Sequence, residues 1–278
     1  MKKLNFEKWQ GLGNDFIILS EIEFPQDKFS GWSKVLCDRR LGIGGDGLVW
    51  TGYSDKADFR MIVCNSDGSD ACMCGNALRC AVAHAYTTGK VSKTEMTIET
   101  DAGIKMGKIH LEGEEIIGVT INMGKPIWEP ELIPFASDKV KDLTVEAAGQ
   151  TFELTTMNTG VPHTVAFVES LEWDWHKAGE ELMAHALFPA QTNVNFIKVI
   201  SPEHLLMRVW ERGAGPTMAC GTGACASAVA AAATGRASRK VTVSLEGGDL
   251  VIEWDQNDDI WMTGAAEKSF IGSTELCK

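Results

Sequence analysis

The chain has 278 residues, 44% of them hydrophobic, and a formal net charge of −12. That length buries a sizeable core, as one large domain or two smaller ones. The acidity argues against a nucleic-acid binder, whose footprint is a basic face, but says nothing of the charge inside a small site.

The opening MKKLNFEKWQ is basic, yet Asn5, Glu7 and Lys8 interrupt any apolar signal-peptide core. No apolar run reaches membrane-span length; the longest small-residue stretch, Ala226 to Ala233, is too short. A soluble, cytoplasmic protein is expected. With eight cysteines but no secretory signal, disulfide staples are not expected. Cys37, Cys64 and Cys277 read as small buried hydrophobes or ordinary thiols. GIGGDG (42–47) formally matches G-x-G-x-x-G, but it follows the charged CDRR and precedes the strand-like LVW. A dinucleotide fingerprint needs a strand before it and a helix after it, so a glycine turn is predicted.

Residues 59–64 are apolar and β-branched and predict a strand. NSDGSDACM (65–73) carries turn formers and predicts a loop. Gly75 to Thr88 lacks proline and is rich in alanine, which favours helix. Gly89 stops it, with Lys90 near the negative end of the dipole. Strands follow at 96–100 and 116–122. His163, after a proline, sits in a turn-like segment. A second series then appears: strand 205–210, loop ERGAGPTMA (211–219), helix Gly221 to Thr234, stop Gly235-Arg236, and strands 241–245 and 249–254. The second helix contains ACASAVAAAAT, tiny or apolar on nearly every face, and is expected to be buried all round inside a curled sheet.

The two series are one pattern written twice. Cys74 lies over Cys220, Gly75 over Gly221 and Asn76 over Thr222. Asn65 after MIVC lies over Glu211 after MRVW, and MTIETDAG over VTVSLEGG. Such constant offsets indicate duplication. The expected fold is α+β: two pseudo-symmetric repeats, each a curled mixed β-sheet or barrel around a central helix, with an active site in the cleft between them. The first repeat is taken as 1–123 joined by 266–278, and the second as 124–265. Each cysteine then opens a helix, where unpaired amides and the dipole attract a carboxylate. The same field lowers a thiol pKa, so a thiolate near neutrality is expected. A base on one face of a carbon and an acid on the other is what inversion requires.

GLGNDF (11–16), NSDGSDACMCGNALRC (65–80), NTGVPH (158–163), TNVNF (192–196) and ERGAGPTMACGTGAC (211–225) resemble the diaminopimelate epimerase family. The matches run in order over essentially the whole chain. GLGNDF or GVPH alone is weak; the two cysteine signatures together are specific. The resemblance implies epimerisation of LL- and meso-diaminopimelate, on the lysine and peptidoglycan route, without pyridoxal phosphate, other cofactor or metal. It implies Cys74 and Cys220 as the catalytic pair. Gly75, Asn76, Gly221 and Thr222 would donate amides to the reacting α-carboxylate. Asn14, Asn65, Asn193, Glu211 and Arg212 would hold the substrate, Arg212 anchoring its distant carboxylate. His163 and Glu211 fall where the family tunes the thiols. The only partner implied is the small-molecule substrate, with a homodimer as a family expectation.

Three positions depart from the family. Ala77 replaces the last glycine of Cys-Gly-Asn-Gly, which costs about 1 kcal/mol or more if φ is positive there and nothing otherwise. Gly47 and Val161 stand where some members carry a glutamine and an asparagine that touch substrate. Other readings compete. Cys72, Cys74 and Cys80 evoke zinc, but their spacing lacks the paired C-x2–4-C pattern. The same mechanism could serve histidine, proline or glutamate, although Arg212 with Asn65 and Asn193 suits a substrate with a second charged end. A non-catalytic amino-acid-binding protein of the same fold is the reading of another class. The nine tryptophans have no functional reading and are taken as packing.

Overall fold

The computed structural model describes residues 3–20, 23–71 and 73–275. Two compact units are present: Met1–Ile121 with Gly264–Lys278, and Asn122–Thr263. In chain order, the first unit runs β1 (Lys3–Gly11), β2 (Asn14–Leu19), α1 (Phe29–Leu36), β3 (Gly47–Gly52), β4 (Phe59–Asn65), β5 (Asp70–Ala71), α2 (Gly75–Thr87), β6 (Glu95–Thr100), β7 (Gly103–Glu112) and β8 (Glu115–Gly124). The second runs β9 (Leu143–Ala147), β10 (Gln150–Asn158), β11 (Pro162–Phe167), α3 (His176–Met183), β12 (Asn193–Ser201), β13 (His204–Glu211), β14 (Gly215–Thr217), α4 (Gly221–Ala233), β15 (Lys240–Leu245), β16 (Gly248–Trp254) and β17 (Ile260–Gly264). The chain then returns to the first unit as β18 (Glu267–Glu275).

Strand pairing repeats between the units. In the first, β1 pairs antiparallel with β18 and β2, β2 parallel with β3, β3 antiparallel with β4, β4 parallel with β6, and β6–β7–β8 antiparallel. In the second, β10 pairs antiparallel with β9 and β11, β11 parallel with β12, β12 antiparallel with β13, β13 parallel with β15, and β15–β16–β17 antiparallel. Parallel neighbours need a crossover, and each of the four parallel pairs has a helix in its connection. The sheet of each unit is therefore mixed, and β18 holds in the first the place of β9 in the second.

Each sheet curls around its central helix. α2 packs against β1, β2, β3, β4, β7 and β18, and α4 against β10, β11, β12, β13, β15 and β16. Enclosure explains the composition: α2 is buried from Gly75 to Ala85 and α4 from Gly223 to Ala231. Gly89 and Gly235 stop these helices with φ of +71° each, the left-handed turn in which a Cβ is strained. The outer helices cover the other sheet face. α1 closes over Ile17, Leu48, Trp50 and Cys64. α3 closes over an aromatic cluster of Phe152, Trp175 and Phe196, with Trp173 and Trp210 against it, so several of the tryptophans are core.

The strands expected at 59–64, 96–100, 116–122, 205–210, 241–245 and 249–254 lie within β4, β6, β8, β13, β15 and β16. The turn-like reading of His163 is corrected: it is the second residue of β11, fully buried. Pro162 occupies the first position of that strand, where no ladder donor is needed. GIGGDG is a turn, with Gly44 at φ +84° and Gly47 opening β3. Cys37 and Cys64 are buried, and Cys37, Cys64, Cys74, Cys80, Cys220 and Cys225 are all reduced. Cys72 and Cys277 lie outside the described residues. No helix among the described residues is long and apolar enough to cross a membrane.

Candidate active site

Cys74 and Cys220 occupy the same local conformation. Each is the N-cap of its buried helix, with φ/ψ of −134°/118° and −133°/106°, and neither helix start is capped by a side chain. The preceding loop folds in the same way twice. β4 ends at Asn65 and β13 at Glu211, and each turns through glycine (Gly68, φ +81°; Gly213, φ +81°) into the short partner strand that delivers the cysteine. Backbone amides of the first helical turn have no intrahelical carbonyl to meet. Gly75 and Asn76 in α2, and Gly221 and Thr222 in α4, thus sit at the positive end of a helix dipole.

In the first unit, Cys74 Sγ lies 4.0 Å from Asn14 Oδ1, which also accepts from Asn76 Nδ2 at 3.1 Å. Asn14 Nδ2 donates to Asp46 Oδ2 at 2.6 Å. Arg39 bridges Asp15 and Asp46 at 2.6 and 2.8 Å, and the buried Lys8 holds Asp15 at 2.8 Å. Burial opposes ionisation of Asp15, but Arg39 and Lys8 overcome it and hold the carboxyl at about 2. Asn65 is exposed, and its Nδ2 donates to Ser69 Oγ at 3.0 Å, within the cysteine loop. Ala77 is buried in α2 without a positive φ, so its departure from glycine costs no backbone strain.

In the second unit, Cys220 is 6% exposed, and its Sγ lies 3.5 Å from Thr222 Oγ1. Thr222 Oγ1 is 2.9 Å from His163 Nε2, and Asn195 Nδ2 is 3.1 Å from His163 Nδ1. Burial pushes His163 down to about 3, so the ring is neutral. Thr159 Oγ1 donates to the Thr222 carbonyl at 2.9 Å. Thr217 Oγ1 donates to Glu211 Oε1. The thiolate expected at a helix start is not what this geometry favours at Cys220. Burial pushes its thiol up, and the Glu211 carboxylate adds to that, against hydrogen bonds from Thr222 and the Gly223 amide. Desolvation outweighs the helix end, and Cys220 stands as a thiol.

The sequence-derived site residues thus fall into two groups. Asn14, Asn76 and Cys74 meet in the first unit, with Gly75 beside them and Asn65 in the loop that delivers the cysteine. His163, Glu211, Gly221, Thr222 and Cys220 meet in the second. Asn193 is held at both amide atoms: its Nδ2 donates to the Pro162 carbonyl, and its Oδ1 accepts from the Arg212 amide, both at 2.9 Å. Arg212 is exposed, with one guanidinium nitrogen on the Ala190 carbonyl at 2.9 Å. Sequence reasoning missed Asp46 and Arg39, hidden in and beside a turn-forming motif, and Asp15, which follows Asn14 in GLGNDF. It also missed Asn195, whose one signal is its i, i+2 spacing from Asn193 on a strand. Among the described residues, no three His, Cys, Asp or Glu side chains cluster as metal ligands.

The sequence model of the family described as diaminopimelate epimerase matches residues 6–129 and 155–269. A diaminopimelate epimerase of Desulfitobacterium hafniense is 46% identical over 271 residues, 95% of this chain and 96% of that protein. That of Acetivibrio thermocellus is 44% identical over 277 residues, 98% of this chain and 99% of that protein. In the solved structures, the Bacillus anthracis phenazine biosynthesis protein of the PhzF family superposes with a TM-score of 0.72 at 16% identity, covering 99% of this chain and 100% of that one. At that identity the likeness is one of fold. The sequence matches span both units and both cysteine signatures, and this chain belongs to the diaminopimelate epimerase family.

Proposed function

We propose that this chain interconverts LL- and meso-2,6-diaminopimelate by proton transfer between Cys74 and Cys220, without a cofactor. The observation that carries the reading is the identical placement of the two thiols, each the N-cap of a buried helix in equivalent units, in a member of this family. One sulfur takes the α-proton as a thiolate, while the other, as a thiol, delivers a proton to the opposite face; the roles exchange with direction. The reaction requires both sulfurs to address one carbon. Cys220, which burial and the Glu211 carboxylate favour as a thiol, is the acid; once it has delivered its proton it is the thiolate that serves as base in the reverse direction.

An amino-acid α-proton is weakly acidic, and a thiolate alone is a poor match for it. The difference is met where charge develops, at the α-carboxylate, by the first-turn amides at Gly75, Asn76, Gly221 and Thr222. One such donor is worth roughly 2.7–4 kcal/mol in a comparable oxyanion site. Asn14 and Asn65 are assigned to the substrate's polar groups, and Arg212 to the distal carboxylate, consistent with its exposed guanidinium. Asn193 is assigned to the substrate as well, and its Oδ1 also fixes the backbone at Arg212. We place the reaction in the cytoplasm and the chain in a homodimer, both resting on family membership.

The test is NMR of the protein with LL-diaminopimelate in heavy water under reducing conditions. The meso form should appear carrying α-deuterium, and both Cys74→Ala and Cys220→Ala should abolish it. Substantial inversion in both variants would sink the two-base mechanism. Exchange with proline, histidine or glutamate in place of diaminopimelate would sink the substrate.

A further inference from the structure

The two units differ at one place in a way the duplication does not require. Strand register fixes the correspondence. Phe16 pairs with Gly47 across β2–β3, and His163 with Asn193 across β11–β12; Val49 pairs with Val63 across β3–β4, and Asn195 with Val209 across β12–β13. His163 therefore holds the position of Phe16, and Asn195 that of Val49. All four are buried. The facing helix position differs as well: Ala77 in α2, Gly223 in α4. A Cβ on Gly223 would lie 2.6 Å from Asn195 Oδ1, so the glycine makes room for the amide. In the second unit, three linked positions thus exchange an apolar contact for a polar pair, which burial disfavours unless the pair has a task.

The task follows from hydrogen-bond direction. Asn195 Nδ2 faces His163 Nδ1 at 3.1 Å, while Asn195 Oδ1 has no hydrogen-bond partner among the described residues. A ring that accepts at Nδ1 carries its proton on Nε2. Nε2–H then donates to Thr222 Oγ1 at 2.9 Å. A hydroxyl that accepts there keeps its own hydrogen for another acceptor, and Cys220 Sγ lies 3.5 Å away. With the opposite tautomer Nε2 accepts, Thr222 spends its hydrogen on the ring, and the sulfur loses its donor.

We propose that Asn195 is a positioning residue for Cys220, orienting the Thr222 hydroxyl toward the sulfur by fixing His163 in the Nε2–H tautomer. The proposal rests on the role given to Cys220 above and assigns that sulfur a donor that favours its thiolate form. Glu211 beside Cys220 and Arg212 beside His163 are the charged groups facing this chain of bonds, and both remain in the variants used to test it.

Two measurements test it without turnover, so a chain inactive on diaminopimelate can still support it, and an active one can still refute it. The first is long-range nitrogen NMR of the His163 ring in the unaltered protein at pH 6–8. The Nε2–H tautomer is expected, and the Nδ1–H tautomer overturns the proposal whatever any variant does. The second is the rate of iodoacetamide alkylation of Cys220 and Cys74, resolved by peptide mass spectrometry. Asn195→Val, which installs the residue type of the first unit, and Thr222→Val should each slow Cys220 about tenfold and leave Cys74 unchanged. The double variant should be no slower than Thr222→Val alone. Additive losses, or equal slowing of both cysteines, would show that Asn195 acts on the fold at large.

Discussion

At Gly223 an added Cβ would meet Asn195 Oδ1 at 2.6 Å, Met207 Cε at 2.8 Å and Cys220 Sγ at 3.3 Å. Gly223→Ala is therefore predicted to destabilise the chain by about 1–3 kcal/mol through overpacking and to lower activity by displacing the sulfur. Ala77→Gly, at the matching place in α2, should cost only about 0.5–1 kcal/mol of helix propensity; urea melts of the two variants side by side check the contrast. In the first unit, Asp46 holds Asn14 at 2.6 Å. A hydrogen bond to a charged group is worth about 1.5–3 kcal/mol, so Asp46→Ala should lower kcat/KM by roughly ten- to a hundredfold, with partial recovery in Asp46→Asn. The cysteines were legible because they recur in matching surroundings. Asp46 was not, because the four glycines around it announce a turn and nothing in the letters says which side chain the turn will hold. His163 was misplaced because Pro162 marks a turn locally, whereas what makes residues 162–167 a strand is pairing on both sides, antiparallel with β10 and parallel with β12 some thirty residues further on.

The central helices were the most legible elements, since alanine content, absence of proline and a following glycine act within a few residues. Their burial could be read in α4, where the side chains are tiny. It was less plain in α2, which takes Arg79 and His84 fully inside. Because the sheet closes on Ala226, Ala228 and Ala230, Ala230→Leu is predicted to cost about 1–3 kcal/mol by overpacking, measurable by thermal or urea unfolding. The framing strands β1, β10 and β18 were not legible. Their apolar residues alternate imperfectly, Lys8 is buried within β1 through its pairing with Asp15, and β18 is exposed along most of its length. Such strands are specified by their neighbours in the sheet, not by their own pattern.

For the molecule as a whole, duplication was the most informative feature of the sequence, because it constrained both units from a single set of motifs. It also hid their differences at His163 and Asn195. Two buried histidines set the acid limit of stability. Burial, with Lys90 and Lys268 adding to it, holds His84 down to about 4, and burial holds His163 down to about 3. The unfolded chain takes up these protons near pH 6.5 and the folded chain does not. Stability is thus full above that pH and falls as the pH drops toward 4, by about 1.4 kcal/mol per unit for each histidine. Asp15, held at about 2, adds a further loss only below pH 3.8. Urea melts between pH 6 and 4.5 should show a combined slope approaching two protons, and His84→Gln should remove about one.

The position of β18 beside β1 bears on how the chain is made. The second unit is continuous in sequence, so every strand of it has been synthesised once residue 264 has emerged. The first unit begins earlier but holds β1 open on one side until residues 267–275 arrive to pair with it. An open strand edge is a template for pairing with another chain. The half that is translated first is therefore completed last, and a chain interrupted before residue 267 leaves that edge of β1 unpaired.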